Sequence, residues 1–581
     1  MKKTISTWLM AAVMMMLSAT AQAGPVSLTQ AKSIARQFVS TGGTTFKGGN
    51  AHSLRLAHEA KSPKGVTDYY VFNRGQDEGF VVVSGDDRVQ PVWGYCDKGS
   101  FDVAVLPDNV KWWFEEYQRQ MQFLRDHPEA HGRKKVQLDH GVTPLMSSLW
   151  NQNRPFNDMC PIAPAQNDPY LYYGGRACTG CVATATSQIM YFWQWPKQGR
   201  GSHSYNCDVA YYDSEIGEAS SRQETLSADF SQSIYQWDLM RDEYLYTGEF
   251  VNGVWVSYIM TMDDKGRVVI DSDGRYGNAV AKLMSDVGIA VEMGYGANGS
   301  GAVSHNVYTA LRKYFRYLAG YAVRDDYHGD WDAMLREELD NGRPIYYSGS
   351  GDKGGHAFVF DGYDNEGRFH VNWGWGGSCD GYFESLALEP YPEDDPYLRF
   401  NSSQEVITSL PYKPLTSNPL SGTTIDFGIV PMDSAVLKTI NLQGMYLSDN
   451  LVVDIMGPDA FNFQVETSVL YTDDLNREGG TILEVVYFPA LQGTHSAQMT
   501  ITPRGTDLYG QTIEPITFTL RGRMTSASDV NLDGEVNLAD VNAALNLVLT
   551  GAEDALVGDV NMDGEINIAD VNTLINIVLA Q

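Results

Sequence analysis

The sequence has few cysteines, few basic residues and, beyond its first segment, no apolar run long enough to cross a membrane. Six cysteines among 581 residues exclude a small scaffold built on disulfides. Lys and Arg number 42 against 72 Asp and Glu, a formal net charge of -30 that disfavours binding to nucleic acid or to an anionic membrane. With 43% hydrophobic and 12% aromatic residues, the chain can bury several cores, and its length predicts several domains.

The N-terminal segment has the pattern of a secretory signal. Lys2 and Lys3 precede an apolar run from Leu9 to Leu17, and Ala21-Gln22-Ala23 is a small-residue cleavage pattern. The apolar run is shorter than the about 20 residues that a spanning helix needs. We therefore predict a signal peptide over residues 1–23, no membrane span in the mature chain, and a secreted protein that is extracellular or associated with the cell surface.

Composition divides the rest of the chain into four predicted domains. Residues 24–138 mix helical and strand patterns, and residues 139–414 are aromatic and rich in Gly. Residues 415–525 carry short alternating strands between turn residues, which predicts an Ig-like β-sandwich acting as a spacer or binding module. Residues 526–581 contain an internal repeat. The polar segment His127–Lys135 is interpreted either as a linker or as a protease-sensitive boundary, with maturation cleavage expected near Arg133–Asp139.

The C-terminal repeat has the pattern of two calcium loops. The stretch Asp529–Asp540 recurs as Asp559–Asp570, an offset of 30 residues (559 − 529), and each copy is followed by an amphipathic helix. Oxygen-bearing side chains occupy loop positions 1, 3, 5, 9 and 12, and Gly occupies position 6, as calcium loops require. We predict structural calcium, with the ligands Asp529, Asn531, Asp533, Glu535 and Asp540 in the first copy and Asp559, Asn561, Asp563, Glu565 and Asp570 in the second.

The repeat resembles a type I dockerin, because each loop ends in Asp at position 12 where ordinary EF-hand loops have Glu. The resemblance covers the whole tail. It implies a cohesin-like domain on another protein as the partner. The alternative is a tail that binds some other protein or only stabilises the C-terminus.

A candidate nucleophile lies in the stretch Gly180–Met190. A turn of small residues delivers Cys181 to the start of an apolar helix. Backbone N–H groups and the positive end of the helix dipole meet at a helix N-terminus, and a thiol placed there has a lowered pKa. The sequence therefore predicts Cys181 as a nucleophile with a pKa below its usual value.

A candidate base follows a pair of glycines. His356 comes after Gly354-Gly355 and leads an apolar strand, and after a turn a second strand runs to Asn372 and Trp373. We expect this hairpin to bring Asn372 and Trp373 beside His356. Asn372 would then orient the imidazole, and Trp373 would shield that contact from water.

Three motifs together resemble the streptopain-like C10 family of cysteine peptidases. Gly180–Met190 is similar to the nucleophile segment of that family, Gly354–Val359 to its base segment and His370–Gly377 to its Trp-rich support loop. Gly79–Asp86 resembles its inhibitory propeptide, and the likeness spans roughly Val26 to Phe400. The resemblance implies a papain-like fold, a zymogen with an inhibitory propeptide, and endopeptidase activity that needs no cofactor.

When the family's functional residues are matched to this sequence, the resemblance implies that Cys181 is the nucleophile and that His356 is the general base and then the general acid. It also implies that Trp373 packs on the histidine. The oxyanion would be held partly by the backbone N–H of Cys181. Residues 172–180 contain no Gln, and Gln166 is distant, so a second donor is unassigned. We also predict that the loop before His356 lines the substrate cleft through Ser350 and Gly351.

Cys178 makes the motif Cys-Thr-Gly-Cys with Cys181, which departs from the rest of the family pattern. Such a motif has redox or zinc uses, but a zinc site needs a second ligand pair, and none is evident. Three alternatives stay open. Cys178 pairs with Cys160, it pairs with Cys207, or it traps Cys181 in a disulfide that holds the enzyme off until reduced.

The predicted fold class is a multidomain chain. It comprises an α+β papain-like protease domain with an α+β propeptide, a β-sandwich and a small α-helical calcium-binding module. The predicted function is a secreted cysteine endopeptidase, made as a zymogen, that acts on proteins and peptides. The alternative is a catalytically silent extracellular protein that serves adhesion or scaffold binding.

Overall fold

The computed structural model describes residues 24–41, 53–127, 130, 132, 137–166, 174–252, 254–351, 354–386, 404–431, 434–477, 479–508, 510, 512–551, 558–561, 563 and 565–581. The predicted signal peptide and the basic residues Arg133–Lys135 lie outside these ranges. The chain divides into two compact units, residues 1–411 and 412–581. The predicted propeptide and protease segments therefore belong to one unit.

The first unit combines helices with one large sheet and two small ones. Its helices are α1 (Leu28–Thr41), α2 (Asp108–Asp126), α3 (Cys181–Trp193), α4 (Arg275–Ala290), α5 (His305–Lys313) and α6 (Trp331–Asp340), with 3-10 turns at Phe230–Gln232, Trp237–Leu239 and Arg324–Asp326. Its strands are β1 (Arg55–Lys61), β2 (Thr67–Asn73), β3 (Phe80–Ser84), β4 (Val92–Cys96), β5 (Ser202–Asp213), β6 (Glu218–Asp229), β7 (Leu245–Val251), β8 (Val254–Met262), β9 (Val268–Ile270), β10 (Tyr317–Val323), β11 (Ile345–Gly351), β12 (Gly354–Tyr363), β13 (Phe369–Asn372), β14 (Gly381–Phe383) and β15 (Glu405–Pro411).

A ten-stranded sheet runs through the whole unit in the order β1-β2-β3-β4-β14-β13-β12-β11-β15-β10. The N-terminal strands join the rest where β4 pairs with β14, with Tyr95 opposite Tyr382 and Gly94 opposite Phe383. Strands β5 and β6 form a separate two-stranded ribbon, and β7, β8 and β9 form a three-stranded sheet.

The N-terminal strands are buried on both faces because a helix covers each. Alternate residues Tyr70 and Phe72 of β2 pack in a core with Ala31 and Ala35 of α1. Their neighbours on the other face share a core with α2. A strand buried on both sides appears as a continuous apolar run, as the sequence of β3 does. The same core includes side chains of β12 and β13, so α2 packs on one face of the sheet across all of these strands.

The second unit contains two sheets and a helical tail. The sheet orders are β16-β18-β22-β20 and β17-β24-β23-β19-β21, and one apolar core includes residues of both sheets, which makes this a β-sandwich. Its strands are β16 (Leu415–Asn418), β17 (Thr424–Pro431), β18 (Val436–Gly444), β19 (Leu451–Met456), β20 (Phe463–Val465), β21 (Val469–Leu470), β22 (Thr481–Tyr487), β23 (Gly493–Pro503) and β24 (Ile516–Thr525). Its helices are α7 (Thr472–Leu475), α8 (Leu538–Thr550) and α9 (Ile568–Leu579), with a 3-10 turn at Ala460–Asn462.

None of the helices in the described part of the chain combines the length and the apolar character needed to cross a membrane.

Candidate active site

Cys181 is the first residue of α3, and the turn before it requires glycine. Gly180 has φ +83°, and a Cβ atom there would lie 2.8 Å from both Met293 Sδ and the Ser300 carbonyl oxygen. The Thr184 amide and hydroxyl both donate to the Gly180 carbonyl, at 3.1 Å and 3.0 Å, and so close the first helical turn. The predicted helix start at Cys181 is confirmed by the structure.

The prediction of a lowered pKa for Cys181 is wrong for this state of the protein. Burial raises the pKa of the Cys181 thiol and outweighs the backbone N–H groups of Ala357 and Val182, which favour the thiolate. The charge of a neighbouring Cys178 thiolate would raise the Cys181 pKa further. A helix N-terminus alone does not overcome this burial, and Cys181 is held as a neutral thiol.

His356 directly precedes Ala357, whose backbone N–H interacts with the Cys181 thiol, but the His356 side chain lies on the opposite face of β12. Ala357 and Val359 belong to the core that contains α3, whereas Phe358 belongs to the core that contains α2. Successive side chains of a strand point to opposite faces, so His356 shares the face of Phe358. The structure has no hydrogen bond between the two described residues Cys181 and His356. The expected thiolate–imidazolium pair is therefore not assembled in this structure.

The charges around His356 come from α2. Burial lowers the pKa of the His356 imidazole, and the carboxylates of Asp108 and Glu115 oppose that effect. Both carboxylates belong to α2. Because the effect of burial is the larger one, the imidazole is kept neutral beneath this helix.

Helix α2 covers the predicted substrate cleft with two tryptophans and an asparagine. A Cβ atom on Gly349 would lie 2.1 Å from Trp112 Cη2, so the Trp112 indole sits directly on the strand that leads to the cleft. The ring centroids of Trp113 and Trp373 are 5.7 Å apart. Asn109 Nδ2 donates to the Trp373 carbonyl at 2.7 Å. The N-terminal half of α2 therefore packs on β11 and on the segment after β13, next to the predicted cleft residues.

The hairpin does not place Asn372 beside His356, contrary to our expectation. Asn372 pairs with Val359 across β12 and β13. Its carboxamide oxygen accepts hydrogen bonds from Gln188 Nε2 and the Gly374 amide, both at 3.0 Å, and its Nδ2 donates to the Ser148 carbonyl at 2.8 Å. Asn372 thus fastens the loop after β13 to the nucleophile helix rather than orienting the imidazole.

Trp373 is buried on the α2 side of the sheet. Its ring lies 4.8 Å from Phe358 and 5.7 Å from Phe383, between centroids, and its indole N–H donates to the Cys379 carbonyl at 3.0 Å. Among the described residues, the rings around Trp373 are these two phenylalanines and Trp113, and His356 is not one of them. A role of Trp373 beside the histidine therefore requires a rearrangement.

Ser350 and Gly351 lie at the end of β11, where Ser350 pairs with Gly355 and Gly351 with Gly354 of β12. Their backbones are therefore immediate neighbours of His356, which pairs with Gly349. This position fits the predicted cleft wall. Glycines occur on both strands near this end of the hairpin, Gly349 and Gly351 on β11 and Gly354 and Gly355 on β12, and glycine widens the range of backbone conformations there.

A second histidine of the same hairpin is committed elsewhere. His370 Nδ1 lies 2.6 Å from Asp361 Oδ1. Burial lowers the pKa of the His370 imidazole, but the Asp361 carboxylate, together with other nearby carboxylates, raises it by more, so the pKa of His370 is raised. Asp361 also accepts the Met146 amide at 3.0 Å. His370 is held in this buried ion pair, so of the two histidines of the hairpin only His356 is a candidate base.

Gln152 is a residue that the sequence analysis missed. It is buried, with 7% of its surface exposed, and its carbonyl accepts the Thr179 amide at 3.2 Å. This hydrogen bond fixes Gln152 beside the turn that delivers Cys181. The sequence analysis considered glutamines nearer to the nucleophile, whereas Gln152 lies 29 residues before Cys181 (181 − 152) and no local sequence signal distinguishes it from other glutamines.

The cysteines form neither disulfides nor a zinc site in the described part of the chain. All six cysteines are free thiols in this structure. Among the described residues, no group of three or more His, Cys, Asp or Glu side chains is arranged to hold a metal ion. The Cys178 thiol lies 3.6 Å from the Ser300 hydroxyl oxygen and 4.0 Å from the Gly296 carbonyl oxygen.

The predicted calcium loops lie in the second unit and contain one buried carboxylate oxygen without a partner. Asp529 Oδ1 accepts no hydrogen bond, while Oδ2 accepts the Thr525 hydroxyl at 2.7 Å and the Gly534 amide at 3.1 Å. Asp540 accepts the amides of Asn531 and Asn537, at 3.0 Å and 2.8 Å, so that it caps α8 and closes the loop. Asp570 does the same for α9. The donor set is all oxygen, which fits calcium.

Two sequence families match this chain. The Peptidase C10 family matches residues 150–383, and the Spi protease inhibitor family matches residues 23–121. Among solved structures, a fragment of prointerpain A of Prevotella intermedia is 30% identical, covers 61% of this chain and 98% of that chain, and has a TM-score of 0.43. Active wild-type interpain A of the same organism is 31% identical, covers 46% of this chain and 94% of that chain, and has a TM-score of 0.33.

Two curated relatives are similar to this chain over more than half of its length. The thiol protease/hemagglutinin PrtT of Porphyromonas gingivalis is 32% identical over 391 residues, which are 64% of this chain and 40% of that protein. Streptopain of Streptococcus pyogenes is 33% identical over 337 residues, which are 56% of this chain and 75% of that protein. The chain thus spans less than half the length of PrtT. The identity to streptopain over three quarters of its length, with both family matches, shows that this chain belongs to the peptidase C10 family of cysteine-type peptidases and carries a propeptide of the Spi inhibitor type.

Proposed function

We propose that this chain is a secreted cysteine endopeptidase made as an inactive precursor, with Cys181 as its nucleophile and His356 as its base. The proposed domains are a signal peptide (1–23), an inhibitory propeptide (24–138), a papain-like protease domain (139–414), an Ig-like β-sandwich (415–525) and a dockerin-like calcium-binding repeat (526–581). The observation that carries the proposal is the position of Cys181 at the start of α3, against the backbone of Ala357 and beneath a strand that bears His356.

Activation requires His356 to change faces. Removal of α2 would take away Trp112, which lies on Gly349 opposite His356 in the hairpin, and the carboxylates of Asp108 and Glu115, whose charges act on the imidazole. The glycines at the end of β11 and β12 allow the backbone change that would bring His356 to Cys181. Trp373 would then be free to pack on the imidazole as predicted.

The reaction would be acyl transfer. The Cys181 thiolate, paired with the His356 imidazolium, attacks the peptide carbonyl to form a tetrahedral oxyanion. His356 then donates its proton to the leaving amine, and a thioester forms between substrate and Cys181. Water, deprotonated by His356, hydrolyses the thioester and releases the enzyme. Proteins and peptides are the proposed substrates, and Ser350 and Gly351 would line their path.

The oxyanion would be held by two donors. The Cys181 backbone N–H at the helix start is the first. For the second we propose the side chain of Gln152, because the hydrogen bond between its carbonyl and Thr179 fixes it next to the nucleophile turn. A preorganised donor of this kind acts on the transition state and leaves substrate binding almost unchanged.

Replacing Gln152 with alanine is expected to lower kcat by about 10²–10³-fold while KM stays nearly constant, as for loss of one oxyanion donor. The measurement is steady-state hydrolysis of a peptide substrate by the processed enzyme. Gln166→Ala is the matched control, because Gln166 is exposed and its amide donates only to Tyr212 Oη at 3.4 Å. Equal kcat values for the two variants would contradict the assignment.

We further propose that the tail folds around calcium and docks to a cohesin-like domain of another protein. Support comes from the unpartnered Asp529 oxygen and from a small core, whose buried apolar side chains among the described residues of the tail are Val530, Val541, Ala544, Val560, Val571 and Leu574. A core this small depends on added bonds such as those to a metal. Glu535 and Glu565 occupy loop position 7, where calcium loops supply the backbone carbonyl oxygen as the ligand rather than the side chain.

Calcium titration of the full-length chain is expected to show two sites. Asp529→Asn should weaken one of them by at least about tenfold, since the charge of the ligand set tunes affinity. Asp454→Asn, an exposed carboxylate of the sandwich, is the control and should leave both sites intact. Chelation should expose the tail to added protease. Identical titrations for all three proteins would refute the calcium site.

The direct test of the peptidase proposal uses secreted full-length protein in the presence of reductant. The expected result is a loss of mass equal to the propeptide, followed by hydrolysis of casein. If the chain hydrolyses no casein even after another protease has removed the propeptide, the silent adhesion protein is the correct interpretation.

A further inference from the structure

Cys160 and Cys178 each lie two residues from a short antiparallel pairing that precedes the nucleophile. Ile162 and Arg176 form an isolated antiparallel bridge. The Ala177 amide donates to the Pro161 carbonyl at 3.0 Å, and the Ala163 amide donates to the Gly175 carbonyl at 2.9 Å. Both hydrogen bonds flank the bridge, so Ile162 and Arg176 are a non-hydrogen-bonded pair of this ladder.

The register then sets the partner of Cys178. Two residues back from Ile162 is Cys160, and two residues on from Arg176 is Cys178, so extending the register of the bridge by two residues would place the two cysteines opposite each other on one face. The bridge itself is confined to Ile162 and Arg176, but a non-hydrogen-bonded pair in this extended register has Cα atoms within about 4.5 Å of each other. Disulfides span Cα separations of about 4.4–6.8 Å. Cross-strand spacing of this kind suits a disulfide.

Contacts around the pair keep the two cysteines together. Arg176 Nη1 donates to the Cys160 carbonyl at 2.6 Å, and the Ser300 hydroxyl donates to the Cys178 carbonyl at 2.7 Å. Both cysteines are buried, and Cys160 belongs to the core that contains α3. They are also near enough that the charge of a Cys178 thiolate raises the pKa of Cys160.

The other thiol neighbours of Cys178 are less well placed. Cys178 is close enough to Cys181 to affect its titration, yet its sulfur points to Ser300 and Gly296, whereas the Cys181 thiol receives the Ala357 N–H. Cys207 directs its sulfur to the Met293 carbonyl at 3.5 Å. Of the three alternatives that the sequence left open, the backbone pairing favours Cys160.

We propose that Cys160 and Cys178 form a disulfide in the exported protein, which fixes the turn beneath the nucleophile helix and removes a thiol that would otherwise disable Cys181. Two S–H bonds break and one S–S bond forms. The two electrons and two protons pass to a small-molecule disulfide such as oxidised glutathione, which becomes two thiols. Export to an oxidising compartment supplies such oxidants. The protective role rests on the proposed peptidase activity, whereas the disulfide rests only on the proposed secretion.

Mapping of the bond tests the disulfide without any activity measurement. Full-length protein is secreted, denatured in excess N-ethylmaleimide and digested without reduction. The expected product is a cross-linked peptide pair that carries Cys160 and Cys178, with Cys181 alkylated, and it separates on reduction. Cys178 linked to Cys181 or Cys207, or both Cys160 and Cys178 alkylated, would overturn the proposal.

Variants test the protective role. Cys160→Ser leaves Cys178 unpaired beside the nucleophile, so the processed enzyme is expected to lose most of its casein hydrolysis without reductant and to regain it with reductant. The double variant Cys160→Ser/Cys178→Ser should keep the wild-type ratio of activities without and with reductant. Cys207→Ser, a buried thiol of the same core, is the matched control and should also keep that ratio.

The outcomes separate the two proposals. A Cys160→Ser enzyme no more sensitive to reductant than wild type would refute protection of Cys181. A wild-type protein that is inactive under all conditions would refute the proposed function, and the mapped bond would still decide whether the disulfide forms. If Cys160→Ser does not fold, the bond map and the double variant carry the test.

Discussion

Replacing Cys181 with alanine is expected to lower casein hydrolysis by on the order of 10⁶-fold, the scale of loss when a catalytic nucleophile is removed. Alanine removes the sulfur that would form the thioester. Cys178, three residues earlier, does not substitute for it, because its thiol points to Ser300 and Gly296. The measurement is the initial rate with reductant, on wild type and variant that the same added protease has processed, so that maturation does not limit either.

Cys178→Ala is the matched control, since it removes a neighbouring thiol and leaves the start of α3 intact. With reductant present it should hydrolyse casein at the wild-type rate. A processed Cys181→Ala enzyme with wild-type activity would show that the nucleophile lies elsewhere. The unprocessed variant answers a second question: if it stays full length while wild type shortens, the chain matures itself, and if both shorten, another enzyme cuts the propeptide.

Local signals located the elements of this site well. A turn of small residues before an apolar run predicted a helix beginning at Cys181, and α3 begins there. Residues 24–138 were predicted to mix helices and strands, and α2, from Asp108 to Asp126, is one of those helices. Helix starts and apolar periodicity depend on neighbours within a turn or two, so a sequence contains them directly.

The register of the hairpin formed by β12 and β13 could not be predicted from the sequence in the same way. Asn372 was expected beside His356 but pairs with Val359, because a bulge lies between Phe360 and Gly362 and shifts the two strands. One residue of register reverses the face of every side chain beyond it. The sequence predicted correctly which residues form the hairpin but did not determine which of them lie opposite each other.

The electrostatic prediction failed for a related reason. The helix start at Cys181 was expected to favour the thiolate, yet burial raises the pKa of the thiol. That burial involves segments distant in sequence, among them β12, which shares a core with α3. Because His356 lies on the other face of β12, no imidazolium stands beside the thiol to offset the burial. The family resemblance predicted the zymogen, but only the structure shows how the two groups are kept apart.

Replacing Trp112 with alanine is expected to speed maturation of the precursor by about 10²–10³-fold. The indole is 4% exposed and rests on Gly349, so its loss removes about 3–5 kcal/mol of packing from the closed state. Each 1.4 kcal/mol changes the balance of open and closed forms tenfold. In the open form α2 no longer covers β12, and His356 is free to reach Cys181. The measurement is the time course of propeptide loss from full-length precursor, started by reductant.

Two controls separate release of the cleft from general loss of stability. Val105→Ala changes a side chain of the same segment that is 76% exposed, and it should mature at the wild-type rate. Phe72→Ala opens a cavity in the core between the N-terminal strands and α1, on the sheet face away from α2. It destabilises the propeptide as strongly without touching the cleft. If Phe72→Ala matures as fast as Trp112→Ala, unfolding of the propeptide sets the rate, and the contact of Trp112 with Gly349 is not the lock. Fast maturation by Trp112→Ala alone would identify the indole as the group that keeps His356 from Cys181.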